Sequence, residues 1–429
     1  MPLLLDVGIG LYHAGIRLAA LWSPKARAWI QGRKGIWERI TAKSDALQGC
    51  IWMHCASVGE FEQGRPVLEE LKRSHPDTPV LITFFSPSGY EACKDYALAT
   101  HVDYLPPDSR SNAARFLQLT RPRAVLWVKY EFWPQWLNGI KRKGIRSYLI
   151  SGIFRPEQAF FQWFGRAHRA MLDGFTHLFV QDERSLELLK SIGITHATMS
   201  GDTRFDRVDA IAKASERLPI GHAFHRAMDA PVLIAGSTWP ADEALIADAL
   251  QGLPNAPRLM VVPHEPSPIA LHRAQQRMPR PVERWSELEA RLSSTSVSTH
   301  HEPPDEDPLF ARTLLVDRMG LLARLYQHCD IAYVGGGFGD GIHSLLEAAA
   351  WGKPVIFGPR HHKFAEAAGL IEAGGGFEVR SADELRGVLA RLLSDRQARE
   401  AASLAALGYV RDRVGATPRI MAGLGAMPI

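Results

Sequence analysis

Ile331-Ala332-Tyr333-Val334-Gly335-Gly336-Gly337-Phe338-Gly339-Asp340-Gly341-Ile342-His343-Ser344-Leu345-Leu346-Glu347 is the stretch that decides the fold. An apolar strand feeds a glycine-rich loop that opens a helix, which lets backbone N–H groups and a helix N-terminus approach a phosphate. The glycine spacing matches GxGxxG in no register, so the dinucleotide fingerprint is absent. Four residues apart, His343 and Glu347 would share one helix face. Glu347 is then a candidate to accept ribose hydroxyls while the loop holds the phosphate. Gly352 as a helix stop and Pro354 as a strand opener carry structural readings.

Outward from this stretch the same rhythm repeats in both directions. Short β-rich runs at 51–54, 80–84, 124–128, 147–150 and 178–180 each precede a segment of helical spacing, such as 65–73 or 184–192. The rhythm restarts at 232–235, 258–262, 313–316, 331–334 and 354–357, after a polar, helical connection at 205–230. Such alternation predicts βαβ units and two doubly wound domains with a cleft between them. The irregular region 280–308 reads as a surface insertion. Its His300, His301, Glu302 and Asp305 match no metal-ligand spacing.

A chain of 429 residues has room for two or three domains and a well-buried core. Its 50 Lys and Arg against 46 Asp and Glu leave a net charge of +4, too small to argue for a nucleic-acid partner. Cys50, Cys55, Cys93 and Cys329 have neither CxxC spacing nor a nearby His pair, and read as buried free thiols with no metal role.

The N-terminus has a membrane flavour. Met1 to Trp22 is mostly apolar and is followed by Lys25, Arg27, Arg33, Lys34 and Arg39, the reverse of a secretory signal. Asp6, His13 and Arg17 interrupt the run, which argues against a spanning helix. An interfacial helix fits better, with Leu3, Leu4, Leu5, Ile9, Leu11 and Ile16 toward lipid and the basic stretch on anionic headgroups. A helix packed on the protein body is the competing reading.

Two further segments carry chemistry. In the first, Ile51-Trp52-Met53-His54 ends in a turn, Ser57-Val58-Gly59-Glu60, before a helix expected from about Gln63. The turn then sits at the C-terminal edge of a parallel sheet, where open α/β folds bind ligands, and Glu60 projects there unless it merely complements the helix dipole. In the second, Trp127-Val128-Lys129-Tyr130-Glu131-Phe132-Trp133-Pro134, a buried strand runs into charge and aromatics. Glu131 can support a neighbouring base or contact a hydroxyl, or simply pair with a cation. Supporting loops are Gly236-Ser237-Thr238, Pro263-His264-Glu265 and Gly201-Asp202-Thr203-Arg204, with Arg204 a candidate to neutralise an anion.

Together these residues resemble the bacterial 3-deoxy-D-manno-octulosonate (Kdo) transferases of lipopolysaccharide assembly. The resemblance spans nearly the whole chain. It rests on Gly32-Arg33-Lys34, Ser57-Val58-Gly59-Glu60, Leu105-Pro106-Pro107-Asp108, Glu131-Phe132-Trp133-Pro134, Gly236-Ser237-Thr238, Asp317-Arg318-Met319-Gly320 and the glycine-rich loop leading to Glu347. It implies a GT-B fold: a membrane-associating segment at 1–40, a Rossmann-like acceptor domain at 41–210 and a Rossmann-like CMP-sugar domain at 211–429.

By the same resemblance Glu60 is the catalytic base of an inverting transfer from CMP-Kdo to a lipid A precursor, and Glu131 is the second functional carboxylate. Ser57, Gly59, Arg204, Ser237, Thr238, Pro263, His264, Met319, Gly320, Gly336, Gly337, His343, Ser344 and Glu347 fall at substrate-binding positions. Neither metal nor cofactor is implied, and the expected location is the cytoplasmic face of the inner membrane.

The chain departs from the family pattern at Lys129, His264, Glu265, Arg204, Leu321, Ile342 and Ser344. Another GT-B nucleotide-sugar transferase or epimerase, and a non-catalytic carbohydrate-binding relative, are the alternative readings. The segment 396–410 is expected to be helical and to cross back onto the first domain.

Overall fold

The computed structural model describes residues 2–129, 131–214, 218–228, 230–295 and 311–426, with the backbone alone at 2–7, 294–295 and 426. His300, His301, Glu302 and Asp305 lie outside the described residues, as does Tyr130. The chain divides into two compact units, Met1–Arg207 together with the chain from Val414 onward, and Val208–Arg413.

The first unit is built on seven strands: β1 (Ile51–Cys55), β2 (Val80–Phe84), β3 (His101–Tyr104), β4 (Ala124–Val128), β5 (Arg146–Gly152), β6 (His177–Val180) and β7 (Ala197–Met199). They form one sheet in the order β3-β2-β1-β4-β5-β6-β7. Every pairing is parallel. Strands β1, β2 and β4 are buried along their whole length, as near-continuous apolar runs covered by helices on both faces must be. The order reverses between β1 and β4, which makes their C-terminal ends the crevice of a doubly wound sheet.

The second unit repeats the plan with β8 (Val232–Thr238), β9 (Arg258–Pro263), β10 (Val282–Arg284), β11 (Thr313–Leu315), β12 (Ile331–Val334), β13 (Val355–Phe357) and β14 (Gly376–Glu378). Their order is β10-β11-β9-β8-β12-β13-β14, again all parallel, with the reversal between β8 and β12.

Several boundaries differ from the sequence reading. The helix after β1 is Val58–Ser74 rather than a helix from Gln63, because Ser57 caps it and the chain accommodates Gly64 and Pro66 inside it. The expected insertion begins with β10 and the helix Trp285–Thr295, so its first part belongs to the sheet edge. Helix Arg396–Arg411 stays in the second unit, against helices Leu346–Ala350 and Ala365–Ala373.

The helix that belongs to the first unit is Ala416–Ala426, which the sequence reading had placed in the 211–429 domain. Ile420 and Leu424 are buried among Phe61, Val67 and Phe179. The Asp206 carboxylate accepts the N–H groups of Gly415 and Thr417 at 2.6 and 2.9 Å, and Arg419 Nε donates to the Ser200 carbonyl at 2.7 Å. A charge-assisted bond of this kind is stronger than a neutral one, so the Asp206 clamp fixes the returning chain.

Residues 1–40 are likewise not a separate segment. Helices Pro24–Gly32 and Ile36–Lys43 put Trp29, Ile36 and Ile40 into the first unit's interior. Gly32 passes so close to Tyr104 that a Cβ there would meet the ring at 2.5 Å. Arg33 is buried, donating to the carbonyls of Leu105, Trp29 and Phe85 at 2.9, 3.1 and 2.8 Å, with its guanidinium 3.8 Å from the Trp29 ring centre. No helix of the described residues is long and apolar enough to cross a membrane.

Candidate functional site

In the first unit, adjacency of β1 and β4 brings two carboxylates that are 71 positions apart in sequence to one sheet edge. Glu60 stands in the first turn of helix Val58–Ser74. The Ser57 hydroxyl accepts the Glu60 N–H at 3.4 Å, and Glu60 Oε2 reaches back to accept the Ala56 N–H at 2.5 Å. The side chain thus folds back past the Ser57 cap to the preceding residue, and Glu60 is only 6 % exposed. Burial pushes its pKa up to about 7, with the charge of Glu131 adding to the rise, against the pull of the Ala56 N–H and Lys129. Desolvation therefore wins over the helix-dipole contribution that favours the anion. A carboxyl poised near neutrality is what a general base at physiological pH requires.

Glu131 is held by its neighbours after β4. Trp133 Nε1–H donates to its Oε2 at 2.7 Å, and Trp127 Nε1–H donates to its backbone carbonyl. Burial raises its pKa, opposed by the Trp133 hydrogen bond. Lys129, at the end of β4, has φ +63°, a backbone state that costs energy for a non-glycine residue and is found where a chain is held for function. Trp133 in turn stacks on Phe85, with centroids 5.2 Å apart. Asp108 accepts the N–H groups of Gln135 and Trp136 at 3.2 and 3.0 Å, which fixes the start of helix Pro134–Arg142 immediately after the Glu131 segment.

The second unit's crevice is different. Strand β8 ends in a bulge where Ser237 takes φ +52°. The Asp242 carboxylate accepts the Trp239 N–H and the Gly336 N–H at 2.9 Å each and the Tyr333 hydroxyl at 2.8 Å, so it ties the β8 turn to the glycine loop after β12. Gly335 and Gly337 are required by close approach: a Cβ would lie 2.4 Å from the Ser237 carbonyl and 2.6 Å from Gly358 Cα.

Around this loop three rings form a slab. His264 and His343 stack at 4.1 Å, and Trp239 stacks on His264 at 5.0 Å. Trp239 Nε1–H donates to His343 Nε2 at 3.0 Å. An indole N–H can only donate, so His343 is neutral with its proton on Nδ1. Burial pulls the His343 pKa down to about 4, and His264 pulls in the same direction. Pro263 closes β9, and the His264 N–H donates to the Thr238 carbonyl at 3.0 Å. Thr238 Oγ1 is buried without a hydrogen-bond partner.

Several expected placements need correction. The glycine loop does not open directly into a helix: residues 341–344 are irregular and the helix is the five-residue Leu346–Ala350. His343 therefore precedes the helix that carries Glu347, and the two do not share a helix face. Ser344 lies in the same irregular stretch. The N–H groups of Gly335, Gly336, Gly339, Gly341 and His343 are spent inside the protein, which leaves fewer loop donors for an anion than the glycine count suggested.

Arg204 is ion-paired with Asp202 at 2.7 Å, so its charge is already met within its own turn. Met319, 72 % exposed, lines a cavity of about 610 Å³ with Trp285 and Leu321, while Gly320 supplies φ +81° to the same turn. Trp239 and Asp242 escaped the sequence reading, although Trp239-Pro240-Ala241-Asp242 carries the signal of a helix start, proline in the first turn and an acid at its third position.

A family model described as 3-deoxy-D-manno-octulosonic-acid transferase (kdotransferase) matches residues 31–207, the stretch that holds both Glu60 and Glu131. A protein of Bordetella pertussis described as 3-deoxy-D-manno-octulosonic acid transferase is 29% identical over 97% of this chain and 99% of its own length. Along nearly its whole length the chain is similar to the Kdo transferases.

A 3-deoxy-D-manno-octulosonic acid transferase of Aquifex aeolicus is 28% identical over 81% of this chain and 87% of its own. Among solved structures, the UDP-GlcNAc 2-epimerase of Neisseria meningitidis bound to UDP-GlcNAc superposes with TM-score 0.59 at 15% identity, covering 88% of this chain and all of that one. The MurG of Acinetobacter baumannii gives TM-score 0.53 at 12% identity over 88% of this chain and 99% of that one. At such identities the likeness concerns the fold, which is the GT-B type of two Rossmann-like units. The first unit thus carries the carboxylates that lie in the family-model match, and the second a ring-walled glycine loop.

Proposed function

We propose that the protein is a glycosyltransferase that moves Kdo from CMP-Kdo to a hydroxyl of a lipid A precursor in lipopolysaccharide synthesis, with inversion and without a metal or cofactor. The observation that carries this reading is the pair Glu60 and Glu131 at the β1–β4 reversal, one of them poised near pH 7.

In the reaction the acceptor oxygen forms a bond to the anomeric carbon as the bond from that carbon to the CMP phosphate breaks. The acceptor proton goes to Glu60, and the bonding pair leaves with CMP. One base suffices because inversion is a single displacement. Glu131, gripped by Trp133, orients the hydroxyl and keeps Glu60 basic through its charge. Ser57 and Gly59 shape the turn that aims Glu60.

CMP is assigned to the second unit, where Ser237, Thr238, Pro263, His264 and the Gly336–Gly337 loop stand at the C-terminal ends of β8, β9 and β12. His343 supplies a neutral Nδ1–H donor, and Glu347 is assigned to the ribose. Among the described residues no three His, Cys, Asp or Glu side chains cluster as metal ligands.

The first helix supports a peripheral place at the inner membrane. Leu11 and Trp22 are 69 % and 66 % exposed, and Leu18 and Leu21 are exposed beside them. An amphipathic helix of this kind lies in the interface with its apolar side chains among acyl chains. Leu18→Ser with Trp22→Ser should weaken sedimentation with anionic vesicles by about tenfold, and unchanged sedimentation would remove the anchor.

The transfer itself is tested by giving purified protein CMP-Kdo, generated in place, and tetraacylated lipid A precursor, and reading products by mass spectrometry. A gain of one Kdo mass or more is expected. No gain, with CMP still protecting the fold against heat, would detach the acceptor from the reading. No gain and no protection would overturn the reading entirely.

A further inference from the structure

The first helix has a second apolar face, turned toward helix Pro24–Gly32 and only partly covered by it. Tyr12, Ile16 and Ala19, spaced to share one side of helix Pro2–Ala19, face Ala26 and Trp29 of helix Pro24–Gly32 and Phe85 after β2 across a groove of about 520 Å³. Ile16 thus lines the groove, where the sequence reading turned it outward with Leu11; Leu3, Leu4 and Leu5 fall outside the described side chains. Small residues keep the groove open: a Cβ at Gly15 would meet nothing within 4 Å. Its volume lies in the range of sites that hold small organic ligands, roughly 300–1,000 Å³.

The groove leads to the carboxylates. Its Trp29 and Phe85 also border a smaller cavity with Leu105, Asp108 and Trp133. Phe85 stacks on Trp133, and Trp133 holds Glu131. The Tyr12 ring lies 6.3 Å from Trp133. An apolar ligand in the groove would therefore end one aromatic ring from Glu131. The walls are mainly aliphatic and aromatic, with side-chain polar atoms from Tyr12, Ser23, Lys25, Trp29 and Ser86. That lining suits a hydrocarbon chain on an anionic headgroup and offers little to a sugar or nucleotide.

We propose that this groove takes one acyl chain of the lipid acceptor and so presents the acceptor hydroxyl to Glu60 and Glu131, an inference that rests on the transfer proposed above. The exposed Leu11 and Leu18 side of the helix, with Trp22 in the turn after it, meets the membrane, and the groove side receives the substrate drawn from it. Lys25, at the groove, complements the negative headgroup.

The test fills the groove. Gly15→Leu adds its side chain into open space, so the fold is preserved, and Gly15→Ser is the small-residue control. Binding of tetradecyl phosphate monomers by calorimetry is one readout. The KM for tetraacylated against de-O-acylated lipid A precursor is the other.

Gly15→Leu should weaken tetradecyl phosphate binding about tenfold, the effect of excluding about two methylenes. It should raise the KM for the acylated acceptor by a similar factor, and leave kcat and the KM for the de-O-acylated acceptor unchanged. Gly15→Ser should behave as wild type. Equal binding by wild type and Gly15→Leu, no binding by wild type, or equal KM shifts for both acceptors would overturn the groove. Tetradecyl phosphate binding that Gly15→Leu abolishes, in a protein that transfers Kdo to neither acceptor, would overturn the transferase reading and leave the groove standing.

Discussion

The two units share one topology and differ in what they hang on it. Each is a seven-stranded parallel sheet whose order reverses once, and each places its distinctive residues after the two strands that flank the reversal. After β1 and β4 these are carboxylates in an aromatic setting; after β8 and β12 they are glycines tied to a buried Asp242 and walled by Trp239, His264 and His343. The backbone sets where chemistry can occur, and side chains decide which chemistry. A raised carboxyl pKa fits proton transfer, whereas glycines and a neutral donor ring fit recognition of a phosphate and a base.

The sharpest way to break this division is Glu60→Gln. It should lower turnover about 10²- to 10⁴-fold and leave CMP affinity unchanged, by kinetics and calorimetry on one preparation. The same variant should gain stability. A folded-state pKa of about 7 against the ordinary 4.5 means the folded protein holds this proton more tightly than the unfolded chain does. Stability from this group is thus full below about pH 4.5 and lost as pH rises through about 7, a cost of roughly 3 kcal/mol at pH 8. Glu60→Gln, which titrates nowhere, should melt higher than wild type at pH 8 and show no such advantage at pH 4. A loss of CMP binding would erase the division between the units.

The converse substitution is Asp242→Ala. It strands the N–H groups of Trp239 and Gly336 and the Tyr333 hydroxyl, at about 1–3 kcal/mol each where they stay buried. CMP affinity should fall at least tenfold while the acid limb of the pH profile stays in place; a shifted limb would show that the loop and the base are not separable. A smaller effect is expected of Trp133→Phe, which keeps the stack on Phe85 and deletes only the donor to Glu131. Removing a hydrogen bond to a charged group predicts a loss of about 10- to 100-fold in kcat with unchanged KM for the donor. Wild-type turnover would make Glu131 a structural residue.

The central strands were legible because an all-parallel sheet buries both faces and writes Val, Ile and Leu in unbroken runs: β2, β4 and β12 have the expected bounds. The edge strands β7, β10 and β14 are three residues each, partly exposed, and leave almost no pattern. Strand β3 was hidden by the polar His101 and by Asp103, which is buried against Arg39 at 2.7 Å.

At the candidate site, the Ser57 and Glu60 pattern read directly as a strand-to-helix turn, but the helix start was placed five residues late because Gly64 and Pro66 look like breakers. The glycine loop was legible as a loop and not as geometry, since only tertiary contacts show that Asp242 occupies the Gly336 N–H. The return of the chain at Ala416 depends on Asp206, a contact across 209 positions that no local pattern records.

As the proposed base, Glu60 has a pKa raised by burial and by Glu131. The pH dependence of kcat/KM in wild type and in Glu131→Gln tests that most directly, because it reports the free enzyme's own groups. Wild type should lose activity below an acid limb near pH 7, and Glu131→Gln, lacking the neighbouring charge that raises Glu60, should show the limb at lower pH with residual activity. An acid limb at the same pH in both proteins, or none in wild type, would contradict the account.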